Sequence, residues 1–143
     1  MSHSHQRRPK QHYEHWLTFA ESDLAVARHL LQDSDFYYEV CFHAQQAAEK
    51  ALKALLYYHQ VKYELRFHSL PRLVKIIRKN YDNSARDLWR DALILNRYYA
   101  STRYPDSYIH EHSQGLFTLA EAEESIQIAG RIIGWVREKL PQR

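Results

Sequence analysis

Cys41-Phe42-His43-Ala44-Gln45-Gln46-Ala47-Ala48-Glu49-Lys50-Ala51-Leu52-Lys53-Ala54-Leu55-Leu56 is the stretch on which the fold turns. Cys41, Ala44, Ala48, Ala51, Leu52 and Leu55 recur at steps of three and four, the period of one α-helical face. Ala44, Ala47, Ala48 and Ala51 present only methyl groups, so a neighbouring backbone can approach closely. That suits a helix at the centre of a bundle, and the spacing predicts it over roughly 36–60.

The same period extends outward in both directions. Tyr13, Trp16, Leu17, Ala20, Leu24, Ala27 and Leu31 mark a first helix of about five turns. Asp33-Ser34-Asp35 interrupts it and offers caps for the next helix. After a connector from Gln60 to His68, Ser69 before Leu70-Pro71 reads as an N-cap with proline in the first turn. It opens a short helix with Leu73, Val74 and Ile77 facing inward. Asp82-Asn83-Ser84 is expected to cap a fourth helix whose apolar stripe is Ala85, Leu88, Trp89, Ala92, Leu95 and Tyr99. Thr118-Leu119-Ala120-Glu121 is a capping box, opening a last helix that buries Ala122, Ile126, Ala129, Ile133, Val136 and Leu140. Gly130 and Gly134 stand one turn apart in it. Glycine inside a helix costs about 1 kcal/mol against alanine, which points to close helix or subunit packing there. No segment alternates with a strand period and there is no internal repeat. The expected fold is all-α, an antiparallel bundle of four long helices and one short one. It occupies residues 12–143 as one domain behind a basic, flexible arm over 1–11.

Composition narrows the function. A chain of 143 residues buries a core of its own, yet is small enough for a partner subunit to complete it. Three glycines, four prolines and 45% hydrophobic residues exclude a disordered chain. A single cysteine, Cys41, excludes an internal disulfide framework and a cysteine-rich zinc site; on the apolar stripe of its helix it reads as core, not nucleophile. No apolar run approaches the ~20 residues that span a bilayer, and Met1–Lys10 has no apolar core of a secretory signal, so the expected setting is cytoplasmic, without membrane contact. Arg7, Arg8 and Lys10 account for the net charge of +3, leaving 17 basic and 17 acidic residues over 11–143. The body lacks the global charge of a general nucleic-acid binder, so RNA contact needs a local site. Residues 62–79 concentrate Lys62, Arg66, Arg72, Lys75, Arg78 and Lys79 against Glu64 alone. That excess either guides RNA or a protein partner or is the solvated face of the short helix.

The segment Tyr98-Tyr99-Ala100-Ser101-Thr102-Arg103-Tyr104-Pro105-Asp106-Ser107-Tyr108-Ile109-His110 is expected to be irregular. A loop from about 100 to 117 is longer than bundle connections usually are, and such loops tend to be functional. Arg103 carries a permanent planar charge that grips phosphate; His110 is the side chain most easily poised to move a proton near neutral pH. In one reading His110 takes the proton of a ribose 2′-hydroxyl, the oxygen attacks the adjacent phosphate, and Arg103 stabilises the developing charge. That chemistry yields a 2′,3′-cyclic phosphate without a metal. In the other, Arg103 pairs with Asp106 around Pro105 and His110 is an exposed loop residue. His112 rivals His110 as the imidazole, and Tyr104 and Tyr108 either stack on bases or pack. His43 and Lys50, two turns apart, share a face of the second helix, as do Gln46 and Lys53. They form either a polar flank or the edge of a nucleotide or phosphate cleft. Glu49 with Lys53 reads as an ordinary i, i+4 pair worth a few tenths of a kcal/mol. His3, His5, His12 and His15 lack the acidic or cysteine ligands that complete a metal site, so no metal or cofactor is expected. Walker, Rossmann and Gly-x-Ser-x-Gly patterns are missing from the sequence.

Taken together, the 41–56 helix, His68-Ser69-Leu70 and Thr102-Arg103-Tyr104-Pro105-Asp106 resemble the HEPN (higher eukaryotes and prokaryotes nucleotide-binding) domain family over about residues 12–140. The resemblance implies a helical bundle that forms a symmetric homodimer, with the Arg-loop-His segment near the two-fold axis. It also implies a frequent partner, a minimal nucleotidyltransferase that acts as antitoxin. Catalytic members are metal-independent endoribonucleases with an Arg-x4–6-His motif, which falls here on Arg103 and His110. Catalytic members commonly have Asn, Asp or His after the arginine, where this chain has Tyr104, and Pro105-Asp106 is similar to the branch named for nucleotide binding. The resemblance therefore implies either an RNA-cleaving toxin or a non-catalytic module that binds a nucleotide or docks a nucleotidyltransferase.

Overall fold

In the computed structural model the described residues are 9–61, 67–103 and 117–142. They form α1 (Pro9–Asp33), α2 (Tyr37–Tyr58), α3 (Leu70–Asn80), a 3-10 segment (Asn83–Leu88), α4 (Trp89–Arg103) and α5 (Leu119–Lys139), with no strand among them. None of these helices is long and apolar enough to cross a membrane.

Helix α2 is the centre. Ala44, Ala47, Ala48, Ala51 and Ala54 are completely buried, as are Val40, Cys41, Leu52 and Leu56. A helix covered on nearly every side needs neighbours all round, and α1, α3, α4 and α5 supply them. The three-residue link 34–36 folds α1 back along α2, and Tyr13 near the start of α1 meets Tyr58 at the end of α2, ring centroids 5.3 Å apart. Helix α5 runs the same way as α2. Phe117, just before α5, stacks on Tyr38 at the start of α2, whereas Arg137 near the end of α5 bonds Glu21 of α1. Helix α4 runs against α5, with Asp91 bonded to Arg131 at one end and Tyr98 against Phe117 at the other. The α1–α2 and α4–α5 pairs are thus antiparallel and the α2–α5 pair parallel.

Local signals behave as their chemistry dictates. Ser69 Oγ accepts from the Arg72 amide at 3.3 Å, with Pro71 inside the first turn of α3. Thr118 and Glu121 exchange both bonds of the capping box, at 3.1 and 2.9 Å. Three details depart from the sequence reading. Asp82 caps the 3-10 segment and not an α-helix: its carboxylate accepts from both the amide and the hydroxyl of Ser84, a turn that competes with α-helical geometry. Trp89, expected in the apolar stripe, is 43% exposed because that segment resets the helical phase before α4. Finally, α4 continues through residues 100–103, which the sequence suggested were loop. Proline disfavours helix at the residue before it, so Pro105 bears on Tyr104 and leaves Arg103 free to be helical. Gly130 and Gly134 are not tightly packed against this chain: a Cβ on Gly130 would meet only an Arg28 nitrogen at 3.8 Å, and one on Gly134 would meet nothing within 4 Å.

Candidate functional site

The end of the bundle that carries Arg103 is built around α2. Arg103 is the last residue of α4. Phe117, which opens the return into α5, packs on Tyr98, five residues before Arg103, at 5.8 Å between ring centroids. Arg103 and Phe117, the described residues on either side of 104–116, therefore lie at the same end of the bundle. Tyr104, Asp106, Tyr108, His110 and His112 lie in it, outside the described residues.

Beside that end of α4 lies a buried polar cluster that sequence reasoning missed. Glu49 and Lys53, read as an ordinary i, i+4 pair, have side chains only 6% and 4% accessible. Lys53 Nζ donates to Glu49 Oε2 at 2.7 Å, and Gln45 Nε2 donates to Glu49 Oε1 at 3.3 Å. Gln46 in turn donates to Gln45 Oε1 at 2.8 Å. His68 Nδ1 stands 2.9 Å from Glu49 Oε2. An ionised carboxylate only accepts, so Nδ1 is the donor in this contact. The His68 side chain is 45% exposed and its ring stacks on Tyr99, centroids 5.2 Å apart. Tyr99 is one helical turn before Arg103. Leu70, two residues after His68, ties the same region to α4 by donating its amide to Asn96 Oδ1 at 2.9 Å. A buried ion pair persists only when its remaining donors and acceptors are satisfied, and here Gln45 and His68 complete Glu49. The signal lay in the sequence as Gln45, Glu49 and Lys53, polar residues at i, i+4 and i+8 on a helix otherwise rich in alanine and leucine.

His43 and Lys50 belong to a second cluster, on the α1 side. Both converge on Asp23: Lys50 Nζ donates to Oδ2 at 2.7 Å, and His43 Nδ1 lies 3.5 Å from Oδ1. His43 Nε2 also faces Glu39 at 3.8 Å. Burial of the Asp23 carboxyl favours its protonation, but His43 and Lys50 outweigh that and hold its pKa below the usual 3.8. Lys50 thus has its charge compensated within the fold.

Other candidates fall into place. His12 stacks on Tyr57 and His15 is exposed. No group of three or more His, Cys, Asp or Glu among the described residues is arranged to hold a metal ion. Burial pushes the Cys41 thiol up to about 12, so it is no nucleophile at neutral pH.

Comparison with known proteins agrees with this architecture. The HEPN domain family model matches residues 13–139. The crystal structure of TT1696 from Thermus thermophilus superposes with a TM-score of 0.74 at 38% identity, covering 90% of this chain and 98% of that one. ST0689, an archaeal HEPN homologue, gives a TM-score of 0.70 at 32% identity, covering 94% and 98%. A protein of Methanocaldococcus jannaschii described as a candidate toxin, MJ1304, is 28% identical over 134 residues, 87% of this chain and 85% of its own length. The chain belongs to the HEPN domain family.

Proposed function

We propose that this protein is a toxin-like, metal-independent endoribonuclease that acts as a homodimer, with Arg103 as phosphate clamp and His110 as acid/base. Its relationship to a candidate toxin supports the biological role. The chemistry is an internal transfer: the 2′-oxygen loses its proton to an imidazole and bonds to phosphorus, the bond from phosphorus to the 5′-oxygen breaks, and that oxygen leaves protonated. Arg103 holds the non-bridging oxygens as charge builds on them. Tyr104, Asp106, Tyr108 and His112 complete the loop as base-stacking, orienting and relay groups.

The observation that carries this reading is the end of α4. A helix that terminates at Arg103 is braced one turn earlier by Tyr99 on His68, whose ring is oriented by the buried Glu49. Catalytic groups need such rigid supports. The second imidazole also answers a requirement of the mechanism, since one base must take a proton and one acid must return it. A minimal nucleotidyltransferase encoded with this protein is the antitoxin we expect. The test is an RNA-cleavage assay in EDTA with 3′-end analysis. Cyclic-phosphate ends support the proposal; intact RNA at high protein concentration favours the non-catalytic module that binds a nucleotide or the nucleotidyltransferase.

A further inference from the structure

Trp89 lies exposed between two adjoining surface clefts, and every ionisable residue lining either cleft is cationic. The first, about 550 Å³, is formed by Pro71, Arg72, Lys75, Ile76, Lys79 and Asn80 with Trp89. The second, about 460 Å³, is formed by Lys75, Arg78, Asn83 and Arg86 with the same Trp89. Lys75 and Trp89 line both, so the clefts form one groove along α3 with the indole at its middle. None of Lys75, Arg78, Lys79 and Arg86 makes a salt bridge to a described residue. Nearby acids are committed elsewhere or lie outside the groove: Asp82 pairs with Lys139 at 3.3 Å, Asp91 with Arg131 at 2.9 Å, and Asp87 lines neither cleft. Arg72 is held in place by the Phe67 ring, its guanidinium carbon 3.5 Å from the ring centroid.

We infer that this groove is a binding site for a single-stranded segment of RNA. An indole 43% exposed and lined by cations that make no salt bridge to a described residue matches a base stacked on an aromatic ring with flanking phosphates neutralised on either side. A duplex hides its base faces, so the indole favours a single strand. The groove is independent of the loop chemistry proposed above, and it is placed to serve it. Trp89 and Arg103 are the first and last residues of α4, 14 positions and about 21 Å apart along the helix. A strand gripped at Trp89 would reach the Arg103 end along one side of the molecule.

The experiment is fluorescence anisotropy of a labelled 12-nucleotide 2′-O-methyl oligouridine, which has no free 2′-hydroxyl and so cannot be cleaved by the proposed chemistry, with Trp89→Ala, the double variant Lys75→Glu/Arg78→Glu, and Arg103→Ala beside the wild type. The groove predicts roughly ten-fold weaker binding or more for Trp89→Ala. The double variant loses still more. Contact with about three phosphates predicts a log–log salt slope near −2 for the wild type, flattened in the double variant. Trp89 and Lys75 are exposed and Arg78 is half-buried, so melting temperatures near wild type identify losses that come from contact. Wild-type affinity in both groove variants overturns the inference, as does loss confined to Arg103→Ala, which would place the RNA at the loop alone. Failure of the wild type to bind the oligonucleotide at 50 mM salt overturns it as well.

Discussion

His68, half exposed, and the buried Glu49 form a carboxylate–imidazole pair across 19 residues of sequence, Nδ1 to Oε2 at 2.9 Å, and the same carboxylate holds Lys53 at 2.7 Å. The pair joins the central helix to the start of α3, and through the Tyr99 ring to the turn of α4 before Arg103. It is therefore both a structural junction and the support of the proposed site.

Removing one partner strands the other. Glu49→Gln leaves the Lys53 ammonium buried without a counter-charge and is expected to lower unfolding free energy by about 3–5 kcal/mol, measured by urea denaturation. The double variant Glu49→Leu/Lys53→Met removes both charges and is expected to recover most of that loss. A double variant as unstable as Glu49→Gln would show that the deficit is one of packing and not of charge.

Acid should destabilise the fold in two separated steps. Burial lowers the pKa of His59 below its usual 6.5, with Asp82 opposing only in part, and its ring stacks on Tyr81 at 4.2 Å. The unfolded state thus takes up that proton first. The contribution is complete above about 6.5 and lost as pH falls through the folded-state value. Asp23, whose burial is outweighed by His43 and Lys50, and Asp82, which accepts from Ser84 and meets Lys139, both sit below 3.8. Their contributions persist to about pH 4 and are lost below it. Melting temperatures between pH 8 and pH 3 should show both declines, and His59→Phe should remove the upper one alone.

Cys41 should be chemically silent in the native protein. It is fully buried and its thiol is pushed up to about 12. Iodoacetamide at pH 8 is expected to leave it unmodified until denaturant is added; rapid labelling of the folded protein would mean that α2 opens.

Gly134 offers a test of what covers α5. Nothing in this chain lies within 4 Å of a Cβ placed there, so Gly134→Ala should stabilise the helix by about 0.5–1 kcal/mol. A lower melting temperature together with loss of the proposed dimer in sedimentation would instead place a second copy against that glycine.

Helix identity was legible because the period of the apolar residues survives wherever one face is buried. Tyr13, Ala20, Leu24 and Ala27 on α1, the alanines of α2 and Ala122, Ala129, Ile133 and Val136 on α5 are all core residues. Ile128 and Ile132 are buried too, since α5 is covered over an arc wider than one stripe. What periodicity cannot show is a change of phase. The Asp82–Ser84 turn diverts six residues into a 3-10 segment, and that shift turns Trp89 outward. Nor does it show how deep a polar residue lies: Glu49 and Lys53 occupy positions that look solvated until α1, α3 and α4 close over them. Arg103 and His110 were singled out for their chemistry and for the family resemblance; the structure adds the braced helix end on which Arg103 stands.

The central claim is metal-free RNA cleavage by Arg103 and His110. The most direct measurement is digestion of total cellular RNA by the purified protein in EDTA, with Arg103→Ala and His110→Ala run beside it and 3′ ends identified. We predict 2′,3′-cyclic phosphate ends from wild type, and a fall in rate of at least about 10²-fold in each variant with the melting temperature unchanged. Equal cleavage by wild type and both variants, or none by wild type at high concentration, would contradict it.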